Sequence, residues 1–88
     1  MPFFVYVIRS IESGHYYIGQ TRNAVDRLRR HNAGAESSTA RYAPWEMVWH
    51  AEKPTRSEAV QLESKLKNLS RTRLESFLSK QGGGQGGS

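Results

Sequence analysis

The chain contains no cysteine among its 88 residues. That absence removes disulfide scaffolds, thiolate zinc sites and cysteine nucleophiles together, and it is compatible with a reducing compartment. Apolar residues are few, at 36%, and no apolar run approaches the roughly 20 residues of a membrane span. The opening MPFFVYVIRS has no basic segment ahead of its apolar stretch, which reads as a strand and not as a secretion signal; a cytoplasmic location without membrane contact is therefore expected. The three histidines, His15, His31 and His50, are too dispersed for a zinc cluster, and no Walker loop or dinucleotide fingerprint is present. Glycine is scarce except at the end, where five of the eight fall in the last seven residues. Residues 1–80 are accordingly expected to form one domain, and residues 81–88 a flexible Gly-rich tail with nothing to bury.

What the sequence does have is basic charge. Thirteen Lys and Arg against eight Asp and Glu leave a net +5, a balance that attracts polyanions, of which nucleic acid is the usual one. Arg22, Arg27, Arg29 and Arg30 crowd around one short segment.

Phe3 to Arg9 is aromatic and β-branched and reads as a strand covered on both faces, with His15 to Gly19 as its return. A four-residue loop, Ile11 to Gly14, pairs Ile8 with Tyr17 and puts Tyr6 and Tyr17 on one face of the sheet. Asn23 is an N-cap, with Asp26 three residues on and Gly34 as the stop, so a short helix follows. Ala24, Val25 and Leu28 form its apolar side, Arg27 and His31 lie one turn apart along the edge of that side, and Arg30 points to water. Ala35 to Pro44 reads as a polar loop and Glu46 to Ala51 as a third strand. Thr55 and Glu58 form a capping box opening a helix with Ala59, Leu62, Leu66 and Leu69 in period, and Ser70 caps a last helix to about Lys80. The order ββαβαα gives an α+β fold, a small three-stranded antiparallel sheet flanked by helices.

Glu63 departs from that scheme. On a helical wheel it falls about 40° from Ala59 and about 60° from Leu66, where a carboxylate needs a cation, a metal or a salt bridge to offset desolvation. Arg27 is either a solvated arginine or a phosphate clamp, its planar fork matching a phosphate bidentately. His31 is a surface or capping residue or a proton carrier. Tyr6 and Tyr17 are ordinary half-buried strand residues on spacing alone. Phe3, Phe4, Tyr6, Tyr16 and Tyr17 on paired strands also allow an aromatic platform for single strands, although no RNA-recognition motif surrounds them.

Taken in order, Val5-Tyr6-Val7, Tyr17-Ile18-Gly19 eleven residues on, Asp26 to Gly34 (DRLRRHNAG), Ser57-Glu58-Ala59 leading to Glu63, and Lys65 to Arg71 (KLKNLSR) resemble the GIY-YIG endonuclease superfamily. The likeness spans residues 3–78 and is nearest to small single-domain bacterial members related to the excision-repair nuclease. It implies phosphodiester hydrolysis in nucleic acid, DNA ahead of RNA, with one divalent cation, Mg²⁺ or Mn²⁺, per site. Position by position it implies Tyr6 as general base, Tyr17 positioning the water or phosphate, Arg27 neutralising transition-state charge, His31 near the same phosphate, and Glu63 as metal ligand. Gly19 is the motif's structural glycine. Arg22, Arg29, Arg30 and Arg41 are the expected backbone contacts, with little sequence specificity, since phosphate contacts position without specifying. The leading glycine of the first motif is missing, since Phe4-Val5-Tyr6 stands in its place. Asn68 lies too close to Glu63 to be the downstream Asn of larger members. A catalytically inactive binding or scaffold protein with the same fold is the competing expectation, and an unidentified targeting protein is compatible with either.

Overall fold

The computed structural model describes residues 2–80 in full and the backbone of residues 81–87. The flexible tail expected at 81–88 lies outside the fully described residues.

Three antiparallel strands, β1 (Phe3–Ser10), β2 (Tyr16–Thr21) and β3 (Trp45–Lys53), form one sheet in the order β2-β1-β3. The aromatic and β-branched stretch thus becomes the central strand, and its alternation decides both faces. Val5 and Val7 point one way into a core with Ile18, Ala59, Leu66 and Leu74. Tyr6 and Ile8 point the other way, into a cluster with Trp45, Tyr17 and Leu28. The hairpin register is the expected one: Ile8 faces Tyr17 and Tyr6 faces Gly19. A bulge between Val7 and Ile8 leaves Val48 of β3 as the extra residue.

The Val5 and Val7 face is covered by α3 (Arg56–Lys67) and α4 (Arg71–Gly87), the Tyr6 face by α1 (Ala24–Asn32) and a single turn, α2 (Ser37–Ala40). Helices on both faces make three layers. α1 and α3 begin where their caps indicate, Asn23 accepting from the Asp26 amide and Thr55 from the Glu58 amide. Ser70 likewise accepts from Arg73 N–H. Each such cap is worth about 1 kcal/mol.

Two readings need correction. The segment from Ala35 to Pro44 is not all loop: α2 adds one turn, held by Glu36 carbonyl bonds to the Thr39 and Ala40 amides. A four-residue turn of Ser, Ser, Thr and Ala has no hydrophobic period to betray it. Val25 is not on the buried side of α1; it is 76% exposed, and His31 is that helix's one buried residue. Among the described residues, no helix is long and apolar enough to cross a membrane.

Candidate active site

The two tyrosines and His31 meet on the α1 face of the sheet. Tyr6 is on the central strand opposite Gly19, and its ring lies so close over that residue that a Cβ there would stand 2.6 Å from the Tyr6 hydroxyl oxygen. Only glycine leaves this space, which is the physical reason for the motif's third residue. The Tyr6 ring centroid is 6.3 Å from Tyr17 and 5.9 Å from His31, and the Tyr17 and His31 rings are 5.0 Å apart. Tyr6 and His31 are both fully buried, whereas Tyr17 is half-buried.

A hydrogen-bond chain fixes the protons. Thr39 Oγ1 lies 3.3 Å from the Glu36 carbonyl, which can only accept, so the hydroxyl donates there. Thr39 Oγ1 therefore accepts from His31 Nδ1–H, 2.7 Å away. That leaves His31 Nε2 unprotonated, and the Tyr6 O–H donates to it across 2.9 Å. Trp45 locks the turn that carries Thr39, its indole N–H donating to the Thr39 carbonyl at 3.0 Å. Asn32 at the end of α1 in turn brackets the Trp45 backbone, accepting from its N–H and donating to its carbonyl.

Burial pushes the Tyr6 phenol well above the ordinary tyrosine value; Tyr17, Glu36 and Glu63 push the same way, and Arg27 opposes them. The Arg27 guanidinium favours the ionised phenol, but desolvation outweighs it. Burial likewise lowers His31, with the Glu36 carboxylate raising it and Arg27 and Arg30 lowering it further. His31 is thus a neutral acceptor, in agreement with the hydrogen-bond chain.

These shifts predict how stability follows pH. The unfolded chain protonates its histidine near pH 6.5 and ionises its tyrosine near pH 10. Folded His31 takes its proton only at lower pH, so below about pH 6.5 the unfolded state holds more protons and stability falls as pH falls. Folded Tyr6 keeps its proton past pH 10, so stability falls again as pH rises beyond that point. In an NMR titration the His31 imidazole should change charge below the ordinary histidine value, and Glu36→Gln, which removes the raising carboxylate, should move it lower still.

Arg27 is one turn before His31 on α1, about one-third exposed, and its guanidinium is 3.7 Å from Glu36. Arg30 shares that carboxylate at 3.9 Å. Both contacts are long, and exposed pairs of this kind are worth at most about 1 kcal/mol, so a phosphate can displace them. Of the other expected backbone contacts, Arg29 is exposed and paired with Asp26 at 3.2 Å. Arg22 lies over the Phe3 ring past the end of β2, and Arg41 over Tyr42 after α2.

Glu63 comes from α3, across the β2 edge, and does not join the tyrosine cluster directly. Its Oε1 accepts from Gln20 at 3.1 Å and its Oε2 is 3.0 Å from Lys67 Nζ, yet its charge is among those felt at Tyr6. Among the described residues no group of three His, Cys, Asp or Glu side chains could hold a metal ion. A single carboxylate fits Mg²⁺ or Mn²⁺ that keeps most of its waters and borrows phosphate oxygens, and it does not fit zinc. The Lys67 contact is an i,i+4 pair with an exposed ammonium, worth about 0.3–0.5 kcal/mol, and yields readily to a dication.

Sequence reasoning missed Glu36, Thr39 and Trp45. All three lie in or beside the turn taken for loop; the one available signal was a carboxylate ten residues after Asp26 in an otherwise basic stretch.

Residues 2–76 match the family model of the GIY-YIG catalytic domain. A curated relative, the UPF0213 protein lin0209 of Listeria innocua, is 38% identical over 77 residues, covering 86% of this chain and 84% of its own length. The solution NMR structure of the UPF0213 protein BH0048 from Bacillus halodurans superposes with a TM-score of 0.62 at 30% identity, covering 94% of this chain and 88% of that one. With a buried tyrosine seated on the glycine of Tyr17-Ile18-Gly19, an arginine and histidine one turn apart above it, and a family match along nearly its whole length, the chain belongs to the GIY-YIG family of nuclease-like domains.

Proposed function

We propose that this protein is an endonuclease that hydrolyses phosphodiester bonds in nucleic acid, DNA ahead of RNA, with Mg²⁺ or Mn²⁺ at Glu63. The observation that carries this reading is the chain from Tyr6 through His31 to Thr39, beside an arginine with access to solvent.

A phenol whose pKa is raised makes a poor base alone, because forming phenolate in a buried site is costly. The neutral imidazole gives the phenol's proton a destination, at the cost of charging a ring that burial, Arg27 and Arg30 disfavour and the Glu36 carboxylate favours. As Tyr6 takes a proton from the attacking water, its own proton passes to His31 Nε2, and no phenolate is formed. The water oxygen bonds to phosphorus, the opposite P–O bond breaks, and the leaving oxygen is protonated from solvent. The imidazolium so formed keeps its Nδ1–H bond to Thr39 and is favoured by the Glu36 carboxylate. Since Tyr6 is shielded from solvent, the half-buried Tyr17 presents the water to it. Arg27 grips the non-bridging oxygens as charge builds on them. A divalent cation, when bound at Glu63, supplies positive charge to the phosphate and the departing oxygen. Arg22, Arg29, Arg30 and Arg41 hold the backbone without reading bases.

Incubating the protein with single-stranded, duplex and branched DNA and with RNA tests this directly. Cleavage of at least one substrate in Mg²⁺ or Mn²⁺, stopped by EDTA, is expected. Tight binding with no cleavage in either metal would instead identify a scaffold that has kept the fold.

A further inference from the structure

We propose that the cleft between α1 and the β1–β3 face, next to Tyr6, is a subsite for one unstacked nucleobase neighbouring the scissile phosphate. This rests on the nuclease reading above and deepens it, because it names the substrate as nucleic acid with an unpaired or extrudable base at the cut.

The cleft has a volume of about 420 Å³ and is walled by Phe4, Val25, Leu28, Met47 and His50, with Arg22 at its rim. That is within the range of small-ligand sites, about 300–1,000 Å³. It shares two elements with the catalytic residues, β1 and α1. Phe4 precedes Tyr6 by two residues on the same face of β1, a distance of about 6.7 Å. Leu28 and Val25 come from α1, the helix that carries Arg27 and His31. A phosphate held at Arg27 therefore has its neighbouring nucleoside within reach of the cleft.

The chemistry of the walls selects the occupant. Phe4 is a half-buried aromatic ring with His50 edge-on at 6.3 Å, and Val25, 76% exposed, is an apolar side chain that folding alone leaves unused. Aromatic and apolar walls suit a base of any identity, since every base has a π-face. Among the described residues, Arg22 is the one full charge lining the cleft and no acidic residue lines it, which favours an anionic ligand over an apolar peptide. The substrate preference that follows is for single strands, flaps and loops over continuous duplex, whose bases must first be unstacked.

The test is an NMR titration of the full chain in EDTA, with dAMP and dTMP as probes and 2-deoxyribose 5-phosphate as the base-free control. Both nucleotides should move the Val25, Leu28 and Met47 methyl signals and the His50 ring signals, and the sugar phosphate should not. Val25→Glu, at an exposed position, should weaken dAMP binding about tenfold, because it replaces an apolar wall with a carboxylate that repels the nucleotide, with the thermal midpoint unchanged. Phe4→Leu, which keeps an apolar side chain but not the ring, should weaken it in the same direction. Equal shifts from sugar phosphate and nucleotide, or unchanged binding by Val25→Glu, would overturn the subsite while leaving the nuclease reading intact. Signals that move with protein concentration alone would overturn it in favour of self-association. If neither these probes nor an oligonucleotide moves any signal, Arg27 included, both readings fail together.

Discussion

Gly19→Ala should destabilise the protein by about 1–3 kcal/mol, the usual range for overpacking a filled core, and should abolish cleavage beyond what the lost folded fraction explains. The added methyl would meet the Tyr6 hydroxyl at 2.6 Å and its ring carbon at 2.8 Å. Tyr6 cannot swing aside cheaply, because it is fully buried on the central strand and hydrogen-bonded to His31. Any displacement stretches that bond and leaves a buried acceptor without its partner, itself a cost of about 1–3 kcal/mol. Urea unfolding and a cleavage assay on the same preparation check both parts. A variant that unfolds at the wild-type midpoint and cuts at the wild-type rate would show that Tyr6 is neither pinned nor needed.

Arg27→Ala should have the opposite profile. Its guanidinium is partly exposed and its pairing with Glu36 is long, so stability should change by no more than about 0.5 kcal/mol. Cleavage should fall about a hundred- to a thousandfold, the effect of removing one group aimed at developing transition-state charge. Arg27→Lys should recover only part of the rate, because an ammonium restores the charge without the planar fork. If Arg27→Ala instead lost stability and kept its rate per folded molecule, the residue would be a packing element and the phosphate clamp would lie elsewhere.

The contrast between these two variants reflects what could be read from the residues. Hairpin register was legible because a four-residue loop between two strands admits one pairing parity, and that parity alone places Tyr6 and Tyr17 on a common face. Helix starts were legible at Asn23 and Thr55 because a capping side chain three residues before an acid is a local signal. The awkward wheel position of Glu63 was legible too, and the structure gives it the partners that position demands, Gln20 and Lys67. His31 was not legible as a buried residue. Its neighbours in sequence are arginines and an asparagine, and what buries it comes from elsewhere in the chain: Tyr6, Tyr17, Thr39 and Trp45. The same holds for Val25, whose apolar side chain marks the wrong face of α1 because the helix turns its histidine inward instead. The environment of Tyr6 was hidden for a related reason. Sequence shows the nearby positive charge of Arg27 but not the desolvation that outweighs it.

The proposed function requires these residues to act as one metal-dependent phosphodiesterase site, although Glu63 lies on α3, across the β2 edge from the tyrosines. Cleavage by wild type and by Glu63→Gln, measured side by side across a Mg²⁺ titration with thermal midpoints recorded for both, tests it most directly. Gln preserves the size of the side chain and the capacity to accept from Gln20, and it removes the charge a dication needs. Wild type should cleave with saturable dependence on Mg²⁺, and Glu63→Gln should be inactive at every concentration with its midpoint close to that of wild type. Equal, Mg²⁺-dependent cleavage by both proteins would contradict the account.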